Sequence, residues 1–413
     1  MVNFIVMVLH KKYPSQKEKT MGKRLILTLV LVVVLISSIA GACAKPAPAP
    51  APVPTPAPTP APAPIPAPAP APAPTPAPAP TPAPAPAPAQ PEVVTRWVGQ
   101  VASMLVDPKN QKWMEMLDRM EVASGGRLEI DWFGAGDIVE QQMEFETVNQ
   151  GALDFALTTP AHWKKFLPGP APLFGYVSGG LTGVEYHAWL MYGGGAELMD
   201  EMIKDFNLHA IPYGGYITTP ETWLHSDKPL KTPADFKGLK IRGSGDGAEI
   251  LSKMGVSASF FPSSEVYESM QRGVIEAYEV STPASDWARG LQEVGQYVYL
   301  SASRQPMEFM QLLVYEERWA ELPDDLKQLV TSFAQGAVME VYYLYAVEDV
   351  KAVQNFIEYG TTVELVSDEI EEAFAREARA FYAEKSAADP FIDRVYSSMM
   401  EFQDMIRAGF SRL

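Results

Sequence analysis

The chain has 413 residues, of which 33 are lysine or arginine and 50 are aspartate or glutamate, so its formal net charge at pH 7 is −17. This excess of acid excludes a basic footprint for nucleic acid and makes electrostatic attachment to an anionic lipid surface unfavourable. Cys43 is the only cysteine, which excludes an intrachain disulfide and a metal site built from several thiolates.

Residues 1–42 have the organisation of a secretory signal peptide. Lys23 and Arg24 precede an apolar run over residues 25–36, and small residues follow up to Cys43. A basic start, an apolar middle and a small-residue end are typical of a signal peptide, and the run is shorter than the roughly 20 residues of a membrane span. Because residues 1–20 fit this pattern poorly, we expect translation to begin at Met21.

The Ala-Gly-Ala-Cys ending of this segment resembles a bacterial lipoprotein signal, in which the cysteine is acylated and becomes the mature N-terminus. The resemblance implies lipidation of Cys43 and anchoring to a membrane outside the cytoplasm. An ordinary signal peptide with an incidental cysteine is the alternative. Removal of residues 1–42, which hold six basic residues and one acidic residue, leaves 27 basic and 49 acidic residues, a net charge of −22.

Residues 43–91 join Cys43 to the rest of the chain through an alanine–proline spacer. From Pro46 to Ala89 the sequence is almost entirely alanine and proline. Proline fixes φ and removes a backbone donor at every second position, which excludes both helix and sheet. An extended polyproline-type segment rises about 3.1 Å per residue and reaches on the order of 140 Å here. The spacer would hold a globular body well clear of a membrane.

The body, residues 92–413, is long enough for two lobes. Short β-like stretches alternate with longer helical patterns, which favours an α/β fold with parallel sheet and crossover helices. The expected strands are residues 95–101, 128–133, 155–158, 208–213, 239–242, 274–278 and 309–315. Helices are expected at residues 113–124, 138–150 and 265–272.

Residues 324–359 form the longest predicted helix. No proline interrupts them, and apolar residues recur at spacings of three or four. Pro323 and Asp324 supply a start signal, and Gly360 supplies a stop. At 1.5 Å per residue the helix would be about 50 Å long, enough to run across both lobes. Two helices broken near Gly336 are the alternative.

Two charged residues are expected at the carboxyl ends of strands, the edge where ligands bind in open α/β sheets. Arg242 ends one strand and is followed by glycines at positions 243, 245 and 247, and Glu279 follows another strand. A guanidinium offers a carboxylate two parallel charge-assisted bonds, and glycines let a backbone approach a ligand closely. A surface ion pair is the alternative role for Arg242.

The stretch Lys237-Gly238-Leu239-Lys240-Ile241-Arg242, with Glu265-Val266-Tyr267 and Gly273-Val274-Ile275-Glu276-Ala277 after it, resembles the solute-binding proteins of TRAP transporters (tripartite ATP-independent periplasmic carriers, DctP-like). The resemblance extends over most of residues 95–405. It implies a two-lobed periplasmic-binding-protein-like α/β fold, with a long helix spanning both lobes, that closes on an organic anion and delivers it to TRAP membrane subunits. Arg242 is then the residue that grips the substrate carboxylate.

The resemblance also implies a division of the body. We expect residues 92–218 and 308–347 to form lobe I, and residues 219–307 and 348–413 to form lobe II.

Within that family, the order Arg242, Glu279, Pro283 and Asp286 is most similar to the branch that binds 2-oxo and 2-hydroxy acids with a metal ion. This implies that the Glu279 carboxylate and the carbonyl of residue 280 coordinate the ion, and it adds Asp286 to the substrate site. A further metal ligand, glutamine in that branch, corresponds to Glu221 here. Val280 stands where the branch has tryptophan.

A charge count supports the ion. Glu221, Glu279 and a substrate carboxylate would place three negative charges beside Arg242, and burying that excess is costly without a cation. Oxygen ligands from two carboxylates favour Ca²⁺, so we expect a Ca²⁺-assisted site, with Na⁺ as the alternative ion. Contact of Glu221 with an ammonium or hydroxyl group of the substrate, or a solvated loop position, are the other interpretations.

Three further residues are candidates for the substrate pocket. Trp163 and Phe174 follow a predicted strand on turns rich in proline and glycine and would form its apolar wall, and Gln305 lies near the crossover of the second lobe. Burial in the core is the alternative for the aromatic residues.

The function predicted from these features is the extracytoplasmic solute-binding component of a TRAP-type transporter, capturing a 2-oxo or 2-hydroxy monocarboxylate without covalent chemistry. An extracytoplasmic enzyme with Glu279 as general base, or a cell-surface scaffold protein, are the alternatives.

Overall fold

A computed structural model describes residues 94–411, and the predictions for the signal peptide, Cys43 and the alanine–proline spacer lie outside these residues. Between residues 94 and 411 no helix combines the length and the hydropathy needed to cross a bilayer. The strands are β1 (Thr95–Val101), β2 (Leu128–Phe133), β3 (Phe155–Thr158), β4 (Leu208–Ile217), β5 (Thr222–Ser226), β6 (Lys240–Arg242), β7 (Ser257–Ser259), β8 (Ala277–Tyr278), β9 (Tyr297–Leu300), β10 (Phe309–Tyr315) and β11 (Thr362–Leu365).

The α-helices are α1 (Pro108–Ala123), α2 (Glu144–Asn149), α3 (Ala171–Gly175), α4 (Gly183–Tyr192), α5 (Gly195–Ile203), α6 (Gly245–Lys253), α7 (Val266–Gln271), α8 (Pro283–Ala288), α9 (Glu316–Glu321), α10 (Asp324–Tyr359), α11 (Asp368–Ala388) and α12 (Pro390–Phe410).

The first sheet has the strand order β2-β1-β3-β10-β4. β1 pairs in parallel with β2 and β3, with Trp97 opposite Ile130 and Gln100 opposite Ala156. β10 runs antiparallel to both of its neighbours, β3 and β4.

The second sheet has the order β11-β9-β5-β8-β6-β7, in which only β5 is antiparallel to its neighbours. The predicted parallel arrangement is therefore wrong for β10, and β5, which was not among the predicted strands, is antiparallel as well. Each of these strands enters its sheet directly from a strand of the other sheet, β5 from β4 through residues 218–221 and β10 from β9 through residues 301–308. No crossover helix returns the chain to the starting edge, which a parallel connection requires.

α10 is one unbroken helix of 36 residues. The alternative of a break near Gly336 is wrong, because the helix continues past this exposed glycine and ends at Gly360, which adopts a φ of 110°. Val341 packs in the core of the first sheet with Ile211, whereas Phe356 packs with Val298 of the second sheet. The helix thus runs across both sheets, as predicted.

Three connections therefore join the two sheets: residues 218–221, residues 301–308 and α10. Asp349 of α10 links the first of these connections, residues 218–221, to α8. Its buried carboxylate accepts hydrogen bonds from the hydroxyl of Thr219 and, at 2.8 Å, from the backbone N–H of Ala284 in α8. This contact fixes the long helix at the point where the lobes would hinge.

The last two helices contact different parts of the body. Phe374 of α11 lies 5.7 Å from Trp223 of β5 between ring centroids, and Ser398 of α12 accepts a 3.0 Å hydrogen bond from the indole of Trp189 in α4. α12 therefore packs on a helix that the sequence assigned to lobe I, although α12 itself was assigned to lobe II. The lobe boundaries stay a prediction.

The environment of Gly336 gives a test of the long helix. A methyl group added at this exposed helical position meets no atom within 4 Å. We expect Gly336→Ala to raise the free energy of unfolding by about 0.5–1 kcal/mol in urea titrations, because alanine loses less backbone entropy in a helix. Gly215 is the contrasting control, since it has a φ of +136° and an added methyl would lie 1.9 Å from the carbonyl oxygen of Met310. Gly215→Ala should lower stability by more than about 1 kcal/mol. A loss of stability in Gly336→Ala would argue against a continuous helix.

Candidate functional site

A cavity of about 420 Å³ lies between the two sheets. Its walls come from residues that follow the parallel strands of both sheets, which is the edge where α/β sheets bind ligands. Ser103, Thr159, Gly243, Phe260 and Val280 follow β1, β3, β6, β7 and β8 respectively, and all five line the cavity. Two of the three connections between the sheets contribute Glu221, Gln305 and Glu308 to its lining.

Arg242 ends β6, and its side chain is 5% exposed in the cavity wall. Its Nη1 donates a 2.6 Å hydrogen bond to the backbone carbonyl of Glu279, and its Nε donates to the carbonyl of Phe261 at 3.2 Å. Within residues 94–411, Nη2 makes no hydrogen bond. Burial lowers the pKa of Arg242, although Glu279 and Glu221 act to raise it. The protein thus leaves part of this positive charge uncompensated, which favours an anion in the cavity.

Glu279 lies one layer behind the cavity and does not line it. Its carboxylate accepts a hydrogen bond from the backbone N–H of Ser244 and lies 3.7 Å from Nη1 of Arg242 and 3.6 Å from Nη1 of Arg304. The protein therefore uses this carboxylate to hold the loop after β6 and two guanidinium groups.

Arg304 is a second buried guanidinium that the sequence analysis did not identify. Its Nη2 donates to the carboxylate of Glu221 and to the carbonyl of Thr222, both at 3.0 Å, and its Nε donates to the carbonyl of Trp223 at 2.9 Å. The charge count that set Glu221 and Glu279 against Arg242 alone is therefore wrong, because Arg304 adds a second positive charge.

Burial outweighs this partner in its effect on the pKa of Glu221. Burial raises its pKa to about 8, and the pull of Arg304 in the opposite direction is offset in part by the nearby charge of Glu279. The carboxylate lines the cavity and is not in a solvated loop, since only 3% of its side chain is exposed.

The opposite side of the cavity carries two more ion pairs. Nζ of Lys109 lies 2.7 Å from the carboxylate of Glu308, and Arg289 forms a two-point pair with Asp107 at 2.9 and 2.6 Å. Burial lowers the pKa of His162, which also lines the cavity, to about 4, so this ring is neutral at pH 7.

Direct contacts cross the cavity between the segments assigned to the two lobes. Tyr176 donates from its hydroxyl to the carbonyl of Ser244 at 3.3 Å and accepts from the N–H of Gly247 at 3.2 Å. Lys164 pairs with Glu249. A side chain at residue 245 would place its Cβ 2.8 Å from the Tyr176 hydroxyl, at a φ of +59°. The close approach that this glycine permits is that of Tyr176.

The structure brings four predicted site residues into the cavity wall and leaves four outside it. Those in the wall are Arg242, Glu221, Val280 and Gln305. Those outside it are Glu279, Trp163, Phe174 and Asp286.

The last three of these are held in the core by other partners. The ring of Trp163 lies 5.0 Å from that of Phe145, and the ring of Phe174 lies 5.8 Å from that of Trp189. The carboxylate of Asp286 is 2.9 Å from Nε2 of the buried His225. The prediction that Trp163, Phe174 and Asp286 contact the substrate therefore disagrees with the geometry.

The lining or supporting residues that sequence reasoning missed include Lys109, His162, Arg289, Arg304 and Glu308. One of them carried a usable signal. Lys109 lies in the first turn of α1, where a positive charge opposes the helix dipole. Such a local conflict indicates a residue placed for another purpose.

Comparisons with known proteins identify the family of this chain. The family model of bacterial extracellular solute-binding protein, family 7 (DctP), matches residues 99–389. A monocarboxylate 2-oxoacid-binding periplasmic protein of Nostoc is 26% identical over 293 residues, which cover 70% of this chain and 79% of that protein.

Solved structures show the same two-lobed α/β fold. A TRAP periplasmic solute-binding protein from Pseudoalteromonas atlantica, with bound sodium and pyruvate, superposes with a TM-score of 0.71 and 26% identity over 76% of this chain and 95% of that one. One from Colwellia psychrerythraea, with bound calcium and pyruvate, gives a TM-score of 0.72 at 24% identity over 76% and 96% of the two chains. The predicted fold class and the resemblance to TRAP solute-binding proteins are confirmed. The chain belongs to family 7 of the bacterial extracellular solute-binding proteins.

Proposed function

We propose that this protein captures a small organic acid, a 2-oxo or 2-hydroxy monocarboxylate, outside the cytoplasm and delivers it to the membrane subunits of a TRAP-type transporter. The observation that carries the proposal is the guanidinium of Arg242, which is buried in the cavity wall with Nη2 free of hydrogen bonds to residues 94–411. The pyruvate in the Pseudoalteromonas structure and the 2-oxoacid named for the Nostoc relative support this choice of substrate.

The mechanism requires binding and closure only. Cavity residues come from both sheets, so a ligand between them contacts both sides and favours the closed state by the difference in its contacts with the two states. An enzyme with Glu279 as general base is disfavoured because that carboxylate is engaged by Ser244 and two guanidinium groups behind the cavity wall.

Replacement of Arg242 tests the proposal directly. Pyruvate at 100 times its Kd should stabilise the protein by about 2.7 kcal/mol, seen as a rise in melting temperature, and Arg242→Ala should abolish this rise. Arg394→Ala is the matched control, because Arg394 makes an exposed ion pair with Glu201 away from the cavity. NMR of the recovered acid separates the alternatives: a receptor returns it unaltered, an enzyme converts it, and a scaffold gives no thermal shift. A shift that survives in Arg242→Ala would refute the role of this residue.

A cation is expected to accompany the acid. Between residues 94 and 411 no cluster of three or more histidine, cysteine, aspartate or glutamate residues is placed to hold a metal alone. Glu221 nevertheless presents a carboxylate to the cavity beside Val280 and Gln305, so oxygen donors of the protein fit a hard ion whose remaining ligands come from the substrate. When bound, the ion would compensate the negative charge of the acid.

The charges around the cavity indicate which ion. When a cation beside Glu221 keeps this carboxylate ionised, Glu221 and Glu279 are matched by Arg242 and Arg304, so one bound monocarboxylate leaves a single negative charge. We therefore favour Na⁺ over Ca²⁺, although calcium accompanies pyruvate in the Colwellia structure.

Calorimetry distinguishes these ions. We expect pyruvate affinity to rise with NaCl when choline chloride keeps the ionic strength constant, and to be unchanged by a calcium chelator. Loss of binding in the chelator would instead identify Ca²⁺. Equal affinity in every buffer would exclude an ion from the site.

The membrane anchor rests on the sequence of residues 21–91. Acyl chains on Cys43 would hold the protein at the membrane. The alanine–proline spacer would let the anchored body both capture ligand away from the membrane and contact the membrane subunits. We expect Cys43→Ser to move the protein from the membrane fraction to the soluble extracytoplasmic fraction, whereas Ala44→Ser, its neighbour, should leave it in place. Membrane retention of Cys43→Ser would argue for an ordinary signal peptide.

A further inference from the structure

Three residues that line the cavity each have a buried polar atom that makes no hydrogen bond within the described part of the chain. These atoms are Nη1 of Arg289, Oγ of Ser281 and Nδ1 of His162. Buried polar groups in native proteins are normally paired. A hydroxyl or a neutral imidazole can donate or accept, but a guanidinium N–H can only donate. Nη1 of Arg289 therefore needs a hydrogen-bond acceptor, and no donor can take its place.

Arg289 is held in one orientation by its other two nitrogens. Nε donates to one carboxylate oxygen of Asp107 at 2.9 Å, and Nη2 donates to the other at 2.6 Å. Asp107 is fully buried and immediately precedes α1, whereas Arg289 immediately follows α8. A fork–fork pair of this kind fixes the guanidinium plane, so Nη1 is the nitrogen left to meet a ligand.

Arg289 also acts on the carboxylate-binding residue. The two guanidinium groups line the same cavity, and the charge of Arg289 contributes to the lowered pKa of Arg242, after burial. An anion that lies between them is attracted by both. The other basic side chains of the cavity wall, Lys109 and Lys164, are already matched by Glu308 and Glu249, and His162 is neutral.

We infer that Arg289 is a second ligand-binding residue, which donates from Nη1 to an oxygen of the ligand other than the carboxylate held by Arg242. The inference rests on the proposed function and narrows it: the preferred ligands are carboxylates with a further acceptor oxygen, and unsubstituted fatty acids bind poorly. Because Asp107 and Arg289 belong to segments assigned to different lobes, the same side chain positions the ligand and joins the two sides of the cavity.

Arg289→Lys tests the assignment, because lysine keeps the charge opposite Asp107 and loses the fork. Arg394→Lys is the matched control, since Arg394 also makes a two-point pair with a carboxylate, that of Glu201, on the surface. Both variants are checked for folding by thermal unfolding and then titrated calorimetrically with 2-oxobutanoate, butanedioate and butanoate, three acids with the same number of carbons.

Wild-type protein should bind 2-oxobutanoate or butanedioate, whichever is tighter, with an affinity about tenfold or more above that for butanoate. A hydrogen bond to a charged group changes affinity by about this factor. Arg289→Lys should lose most of this preference while its affinity for butanoate changes little, and Arg394→Lys should keep it. An equal weakening for all three acids would reduce Arg289 to a structural residue and overturn the inference, with the proposed function intact.

The wild-type measurement decides the matter even when Arg289→Lys does not fold. Equal affinity of the wild type for butanoate, 2-oxobutanoate and butanedioate would also overturn the inference. Failure of the wild type to bind any organic acid would instead remove the proposed function on which it rests.

Discussion

The site depends on four charges buried together where the two sheets meet. Arg304 contacts Glu221 at 3.0 Å and lies 3.6 Å from Glu279, which in turn lies 3.7 Å from Arg242. Each charge would be costly to bury alone, and the cost falls only when partners and hydrogen bonds surround it. Glu221 and Arg304 belong to two of the three connections between the sheets, whereas Arg242 ends β6 and Glu279 directly follows β8. The network therefore holds two of the connections between the sheets together with Arg242, the proposed carboxylate-binding residue.

Much of the fold could be predicted because many of its helices and strands have recognisable local sequence patterns. β1, β2, β3 and β10 alternate or run apolar between turn signals, and α10 lacks proline over its whole length. β7 and β11 could not be found this way, because their residues are exposed or half-buried and become strands only by pairing with β6 and β9. The antiparallel direction of β5 and β10 could not be predicted from local sequence either, because it depends on which sheet the chain enters next.

The site was predictable only where backbone position decides the role. Arg242 follows from its place at the end of a strand and Gln305 from its place near a crossover, whereas Glu221 was found only through the resemblance to the family. Trp163 has a similar place after β3, yet its ring packs on Phe145 in the core, and sequence gives no sign of which way a side chain turns there. Arg304 could not be anticipated, because its partner Glu221 is 83 residues away and no local pattern links them.

The pairing of charges around the cavity also constrains what can close it. Besides the four central charges, three ion pairs surround the cavity: Lys109–Glu308, Arg289–Asp107 and Lys164–Glu249. An organic anion added to this balanced set would be the unmatched charge. Among the guanidinium nitrogens of the cavity wall, only Nη2 of Arg242 and Nη1 of Arg289 make no hydrogen bond within residues 94–411. A monovalent cation entering with the anion restores the balance without disturbing any pair. Since two of these pairs, Asp107–Arg289 and Lys164–Glu249, cross between the lobe segments, closure is favoured by contacts of the protein itself, and the ligand needs to add only the difference.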